Sequence, residues 1–167
     1  MKLLLTEGCV CWSFLIDDVN ASDISLDKLK SIIFTTIDNI SNKPYLINII
    51  HYLMIDADIS TSTFDYDLGP GEPHYTEYAI NSSRFGDILL KESFSEDSSL
   101  TVCGKDMLEM SEEDIRDVIK NIIEENVFDA GVLTSMLIYL IRVFGEYKFC
   151  YHCDECGDDV VEYKWEV

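Results

Sequence analysis

Residues 26–38 read LDKLKSIIFTTID, and 86 positions further on residues 112–124 read EEDIRDVIKNIIE. Both stretches place large apolar residues at the three- and four-residue spacing of one helical face. The aligned apolar pairs are Leu29 with Ile115, Ile32 with Val118, Ile33 with Ile119, and Ile37 with Ile123. Charge type is also kept, since Lys30 aligns with Arg116. The same shift aligns residues 3–56 with 89–142 without a gap, which predicts that the chain contains one small module twice.

Outward from these helices, each copy is predicted to contain two strands, two helices and a further strand or hairpin. In the first copy we expect strands at 2–7, 9–16, 59–67 and 74–80, and helices at 26–40 and 44–55. In the second we expect strands at 88–91, 100–103, 146–151 and 160–167, and helices that begin after Ser111 and Asp129. The prediction is an α+β fold of two tandem ββααβ(β) pseudo-repeats, with helix pairs packed on antiparallel sheet. The predicted domains are residues 1–86 and residues 87–167, the second with a Cys-rich C-terminal hairpin.

The charge of the chain restricts its partners. The formal net charge is −20, with 12 Lys and Arg against 32 Asp and Glu. Such a surface repels nucleic-acid phosphates and anionic lipid headgroups, so we expect neither direct nucleic-acid binding nor membrane binding. It attracts a basic protein instead. Glu7 ends the first apolar run before it could act as a secretory signal, which favours a cytoplasmic location with reduced cysteines.

One short segment carries candidate metal ligands. Cys153-x-x-Cys156-Gly157 resembles the knuckle of zinc-ribbon proteins, and the resemblance implies two thiolates on one metal in a tight turn. Cys150 and His152 are candidate third and fourth ligands, and Cys9-x-Cys11 is a weaker candidate pair. Structural zinc, free thiols and a disulfide or redox pair all remain open from the sequence. Negative charge disfavours a thiolate, so the surrounding carboxylates lead us not to expect a redox enzyme.

Carboxylates with neighbouring tyrosines form the other candidate site. This is the composition of a surface that anchors a basic partner, because aromatic side chains supply buried anchors and carboxylates pair with Lys and Arg. The candidate partner-binding residues are Asp154, Glu155, Asp158, Asp159, Glu112, Glu113, Tyr151 and Tyr163.

These observations lead to two hypotheses of function. In size, acidity and lack of a catalytic motif the chain resembles bacterial toxin-immunity proteins and phage anti-defence inhibitors. That resemblance implies a non-catalytic inhibitor that neutralises a basic effector, such as a nuclease, and needs no cofactor. The alternative is a structural or adaptor protein stapled by zinc. No nucleophile–base pair can be assembled from the sequence, so we do not expect an enzyme.

Overall fold

The computed structural model describes residues 1–8, 12–67, 69–71, 74–93 and 98–167, and it confirms the predicted α+β class. Over these residues it contains four α-helices and two antiparallel sheets of five strands each. The strands are β1 (Lys2–Glu7), β2 (Ser13–Ile16), β3 (Val19–Asn20), β4 (Ser62–Asp67), β5 (His74–Ser82), β6 (Gly86–Ser93), β7 (Ser99–Val102), β8 (Lys105–Asp106), β9 (Glu146–His152) and β10 (Asp159–Glu166). The helices are α1 (Leu26–Asp38), α2 (Lys43–His51, continued by a π-helical turn over Tyr52–Asp56), α3 (Glu112–Asn126) and α4 (Ala130–Phe144).

The helices begin where side chains satisfy their first free amides. At α3, the Ser111 hydroxyl accepts from the Asp114 amide at 3.1 Å and donates to the Asp114 carboxylate at 2.7 Å. At α4, Asp129 accepts from the amides of Gly131 and Val132 at 2.7 and 3.2 Å. Both helix starts confirm the predicted caps, which stabilise a helix by pairing amides that have no partner within it.

The first compact unit contains residues 1–39 and 128–167. Its sheet has the strand order β3-β2-β1-β10-β9, and helices α1 and α4 belong to the same unit. Strand β1 pairs with β2 on one side and β10 on the other, so Leu3 lies opposite both Ile16 and Trp165. On the face of β1 and β2 that turns toward helix α4, four apolar side chains are buried: Leu3, Leu5, Phe14 and Ile16.

The second compact unit is the continuous segment 40–127. Its sheet has the order β4-β5-β6-β7-β8, and helices α2 and α3 belong to this unit. Ile80, Ile88 and Leu90 line the inward face of the sheet and are buried. The apolar face predicted for α3 is also buried, at Ile115, Val118, Ile119, Ile122 and Ile123.

The compact units and the predicted domains divide the chain differently. The first unit combines β1, β2 and β3 with β9 and β10 from the opposite end of the chain. The second unit spans residue 86 and combines β4 and β5 with β6, β7 and β8. Each half of the chain does supply three strands, two helices and two further strands in that order. The duplication itself, and the domains drawn from it at 1–86 and 87–167, stay predictions.

Several predicted features fall partly or wholly outside the described residues. The strand predicted over 9–16 is described from Ser13 onward as β2, and the candidate pair Cys9 and Cys11 lies outside the described range. The short strands β3 and β8 are absent from the prediction, because two residues carry no usable periodicity.

Candidate partner-binding hairpin

Strands β9 and β10 form a hairpin that begins directly after α4. Gly145 joins the helix to β9, and its amide donates to the Ile141 carbonyl at 2.8 Å. A Cβ at this position would collide with that carbonyl and lie 3.1 Å from the Lys164 carbonyl oxygen, so only glycine fits. The helix end therefore fixes where the hairpin starts.

The tip of the hairpin is a closed turn between Cys153 and Asp158. The Cys153 amide donates to the Asp158 carbonyl, and the Gly157 amide donates to the Cys153 carbonyl, both at 2.8 Å. Gly157 has φ of +75°, a conformation that side chains with a Cβ rarely adopt. A glycine at this position therefore allows the turn to close without strain.

The four predicted carboxylates of the hairpin lie together around this tip. Asp154, Glu155, Asp158 and Asp159 are all exposed. A hydrogen bond of 2.8 Å joins Nδ1 of His152 to the Asp159 carboxylate across the two strands. Residues 149–163 contain no Lys or Arg, so the tip is a concentrated patch of negative charge.

The two predicted tyrosines lie on the two strands of the hairpin, near two aromatic residues absent from the predicted site. Tyr163 faces the helices with Trp165, whose ring stacks on Phe144 of α4. Tyr147 lies opposite Tyr163, with ring centroids 5.6 Å apart in an edge-to-face contact. Tyr147 and Phe149 pair with Tyr163 and Val161 and so share that face, with exposed fractions of 60% and 50%. A register shift then places Tyr151, which is 47% exposed, opposite Val160, whose side chain alternates to the other face.

We call the two side chains that share this face, Tyr147 and Phe149, the aromatic row. Their period-two spacing is visible in the sequence and is the signal that could have identified Tyr147 and Phe149. Whether such a row is buried or exposed depends on how far the helices reach over the sheet. The spacing alone does not contain that information.

Glu112 and Glu113, the other predicted carboxylates, belong to the second unit, whereas the hairpin belongs to the first. Glu112 is used within its own unit, because its carboxylate lies 3.0 Å from the guanidinium of Arg116. Glu113 is exposed in the first turn of α3, where a negative charge stabilises the helix N-terminus. Both residues therefore have a role in helix stability.

The predicted zinc ligands have different environments. Cys153 is a buried free thiol, and Cys150 is a half-buried free thiol whose Sγ lies 3.9 Å from the Lys148 carbonyl oxygen. Cys156 is disulfide-bonded, whereas the expected cytoplasmic location favours reduced thiols. Among the described residues, no three His, Cys, Asp or Glu side chains are placed to hold one metal ion.

Comparisons with known proteins add no relationship to these observations. No family model, no curated protein and no solved structure matches the chain. Within the described parts of the chain, no helix combines the length and apolar character needed to cross a bilayer.

Proposed function

We propose that this chain is a non-catalytic, acidic inhibitor of the immunity or anti-defence type, which binds a basic effector such as a nuclease and covers its functional surface. The observation that carries the proposal is the hairpin, whose tip has four exposed carboxylates and whose strand β9 carries the exposed aromatic row. A phosphate-binding effector displays Lys and Arg at its working surface, and these are the groups that carboxylates pair with.

The mode of inhibition follows from charge and shape. The hairpin carboxylates compete with substrate phosphates for the same cations, and the aromatic side chains supply apolar area that is removed from water on binding. The negative charge of the whole chain accelerates the encounter with a basic protein at low salt. The same charge opposes direct binding to nucleic acid or to anionic membranes. We place this encounter in the cytoplasm, and it requires no cofactor.

The experiment is affinity capture from a lysate of the source organism, with the purified chain as bait. We expect retention of one basic protein at near-stoichiometric level, with much weaker retention at high salt because exposed charges are screened. The captured protein is then assayed for nuclease or other nucleic-acid-directed activity with and without the chain. Retention without any effect on activity would contradict inhibition.

A charge-reversal variant locates the contact. Changing Asp154, Glu155, Asp158 and Asp159 to Lys is expected to weaken binding about tenfold or more, since several complementary pairs are lost. The matched control reverses four exposed carboxylates elsewhere: Asp23, Asp38, Glu109 and Glu124. Both variants change the net charge equally, so an equal loss of affinity would show a general charge effect and not a contact at the hairpin.

A further inference from the structure

Strand β9 is the long outer edge of its sheet. It has seven residues, and β10 pairs with it along one side. In the strand order β3-β2-β1-β10-β9, no described strand pairs with its other side. The opposite edge of the sheet, β3, has only two residues. A long edge strand offers backbone N–H and C=O groups to an incoming strand, and natural proteins usually protect such an edge.

The edge strand of the other sheet shows what such protection looks like. On β4, Asp65 faces the helix side of the sheet, where it accepts a hydrogen bond from Thr76 at 2.7 Å. A charge that points inward on an edge strand discourages pairing with another chain. At the same side of β9 the structure has the aromatic row in place of a charge. Strand β9 therefore lacks that device at Tyr147 and Phe149, and its register shift, a second kind of edge protection, lies beyond them toward the hairpin tip.

The aromatic row extends beyond the cover that the helices provide. Helix α4 packs on β1 and β10, and Phe144 covers Trp165. One strand further out, the two side chains of the row are at least half exposed. Contiguous exposed aromatic side chains of this kind mark interaction surfaces in folded proteins.

Charge decides which occupant fits this edge. From Glu146 to the end of β10 the hairpin has seven Asp and Glu against two Lys. A second copy of the chain would bring an equally acidic hairpin against it, which like-charge repulsion opposes. A segment that carries Lys and Arg is attracted to the same edge, and guanidinium groups also stack favourably on aromatic rings.

We infer that β9 binds its partner by strand addition. An extended segment of a basic protein, bearing Lys and Arg, pairs as a sixth strand with the edge of β9 that no described strand occupies. Alternate side chains of that segment contact the aromatic row, and its cations reach the carboxylates at the hairpin tip. This inference rests on the proposed function and specifies the surface through which it operates.

The test uses the full chain and a synthetic probe, a short peptide of alternating arginine and valine. We expect the peptide to slow hydrogen exchange at the β9 amides that are not bonded to β10. The same peptide with N-methylated backbone amides keeps its charge but cannot donate backbone hydrogen bonds. We expect it to bind about tenfold or more weakly, because several hydrogen bonds are lost.

Two variants supply the matched comparison. Phe149→Ser removes one of the two rings of the aromatic row and is expected to weaken peptide binding about fivefold. Phe64→Ser removes a ring of 64% exposure from edge strand β4, on the face away from the helices, and is expected to leave binding unchanged. Circular dichroism of both variants establishes that they are folded.

The other outcomes separate this inference from the proposed function. Equal binding of the two peptides, or unchanged exchange at β9, would overturn strand addition while leaving an acidic inhibitor intact. Protection of β9 that rises with protein concentration, without peptide, would identify a second copy as the occupant and overturn the inference. Failure of both peptides to bind, with no basic protein captured from lysate, would overturn the inference and the proposed function together.

Discussion

His51, at the last position of α2, shows how one side chain couples folding to pH. Its imidazole is partly buried, and Nδ1 lies 3.7 Å from the carboxylate of Glu92 on β6. Burial lowers the pKa of His51 below its usual value, and the nearby Glu92 charge opposes that shift only partly. The folded state therefore binds a proton less readily than the unfolded state does.

The direction of the pH effect follows from this difference. Between the folded and unfolded pKa values the unfolded chain binds more protons, so the free energy of unfolding contributed by His51 rises with pH and is lost as the pH falls below about 6.5. We expect urea unfolding at pH 7.5 and at about 5.5 to show a larger loss of stability for the wild type than for His51→Gln. Identical pH dependence of the two proteins would contradict the shift.

Sequence reasoning reached only part of this site. The apolar periodicity places His51 within the helix predicted over 44–55. Glu92 is 41 residues away along the chain, and its approach depends on how β6 pairs with β5 and where α2 lies on that sheet. A local pattern does not contain those long-range pairings.

Among the elements, α3 is fixed to the segment before α2 by one arginine. Arg116 donates from Nε and Nη2 to the Ile40 carbonyl oxygen at 3.2 and 2.5 Å, and Glu112 holds its guanidinium from the preceding turn. The guanidinium is mostly buried. The carbonyl thus depends on this side chain for hydrogen bonds that water would otherwise supply.

We expect Arg116→Met to lower the free energy of unfolding by about 1–3 kcal/mol, because the Ile40 carbonyl and Glu112 both lose their partner. The control is Arg84→Met, which removes an exposed ion pair to Asp117 of α3. It should lower the free energy of unfolding by less than about 1 kcal/mol. Urea denaturation of the two variants makes the comparison. Equal losses would show that Arg116 acts as an ordinary surface charge.

The sequence predicted individual helices well but not which helices pack against each other. Helix α4 begins after Asp129 as predicted, because that residue is a favourable cap and the residues that follow it are mostly apolar. The periodicity identifies the buried face of α1 but not its partner α4, which lies more than 90 residues further along the chain. Apolar faces are largely interchangeable, so the sequence pattern does not specify which of them meet.

For the candidate site, the acidic tip of the hairpin followed from composition, since adjacent carboxylates in a turn are almost always exposed. The disulfide of Cys156 did not follow, because cysteine spacing alone fits a metal, a thiol or a disulfide.

At the scale of the whole molecule, the two compact units differ in continuity. The second unit is one uninterrupted segment with its own sheet, helices and buried apolar residues. The first unit requires residues 1–39 and 128–167 together, since β1 pairs with β10. A continuous segment of this length can form a core by itself, whereas a single strand between absent neighbours cannot.

We therefore expect residues 40–127, expressed alone, to retain mixed helix and strand content and to unfold cooperatively in urea. Residues 1–39 and 128–167, expressed as separate peptides, are expected to be largely unstructured until mixed. Circular dichroism and urea titration measure both properties. A non-cooperative transition for 40–127 would show that this unit depends on the flanking segments.

The first unit is discontinuous in sequence, which affects how it folds during synthesis. The ribosome translates residues 1–39 before the second unit and residues 128–167 after it. Leu3 and Leu5 therefore leave the ribosome well before β10 and α4, which later help to enclose them. The second unit can finish folding in the interval, while the side chains of Leu3 and Leu5 remain exposed and can bind chaperones. Residues 40–127 can therefore fold first, and residues 128–167 then complete the unit that contains residues 1–39.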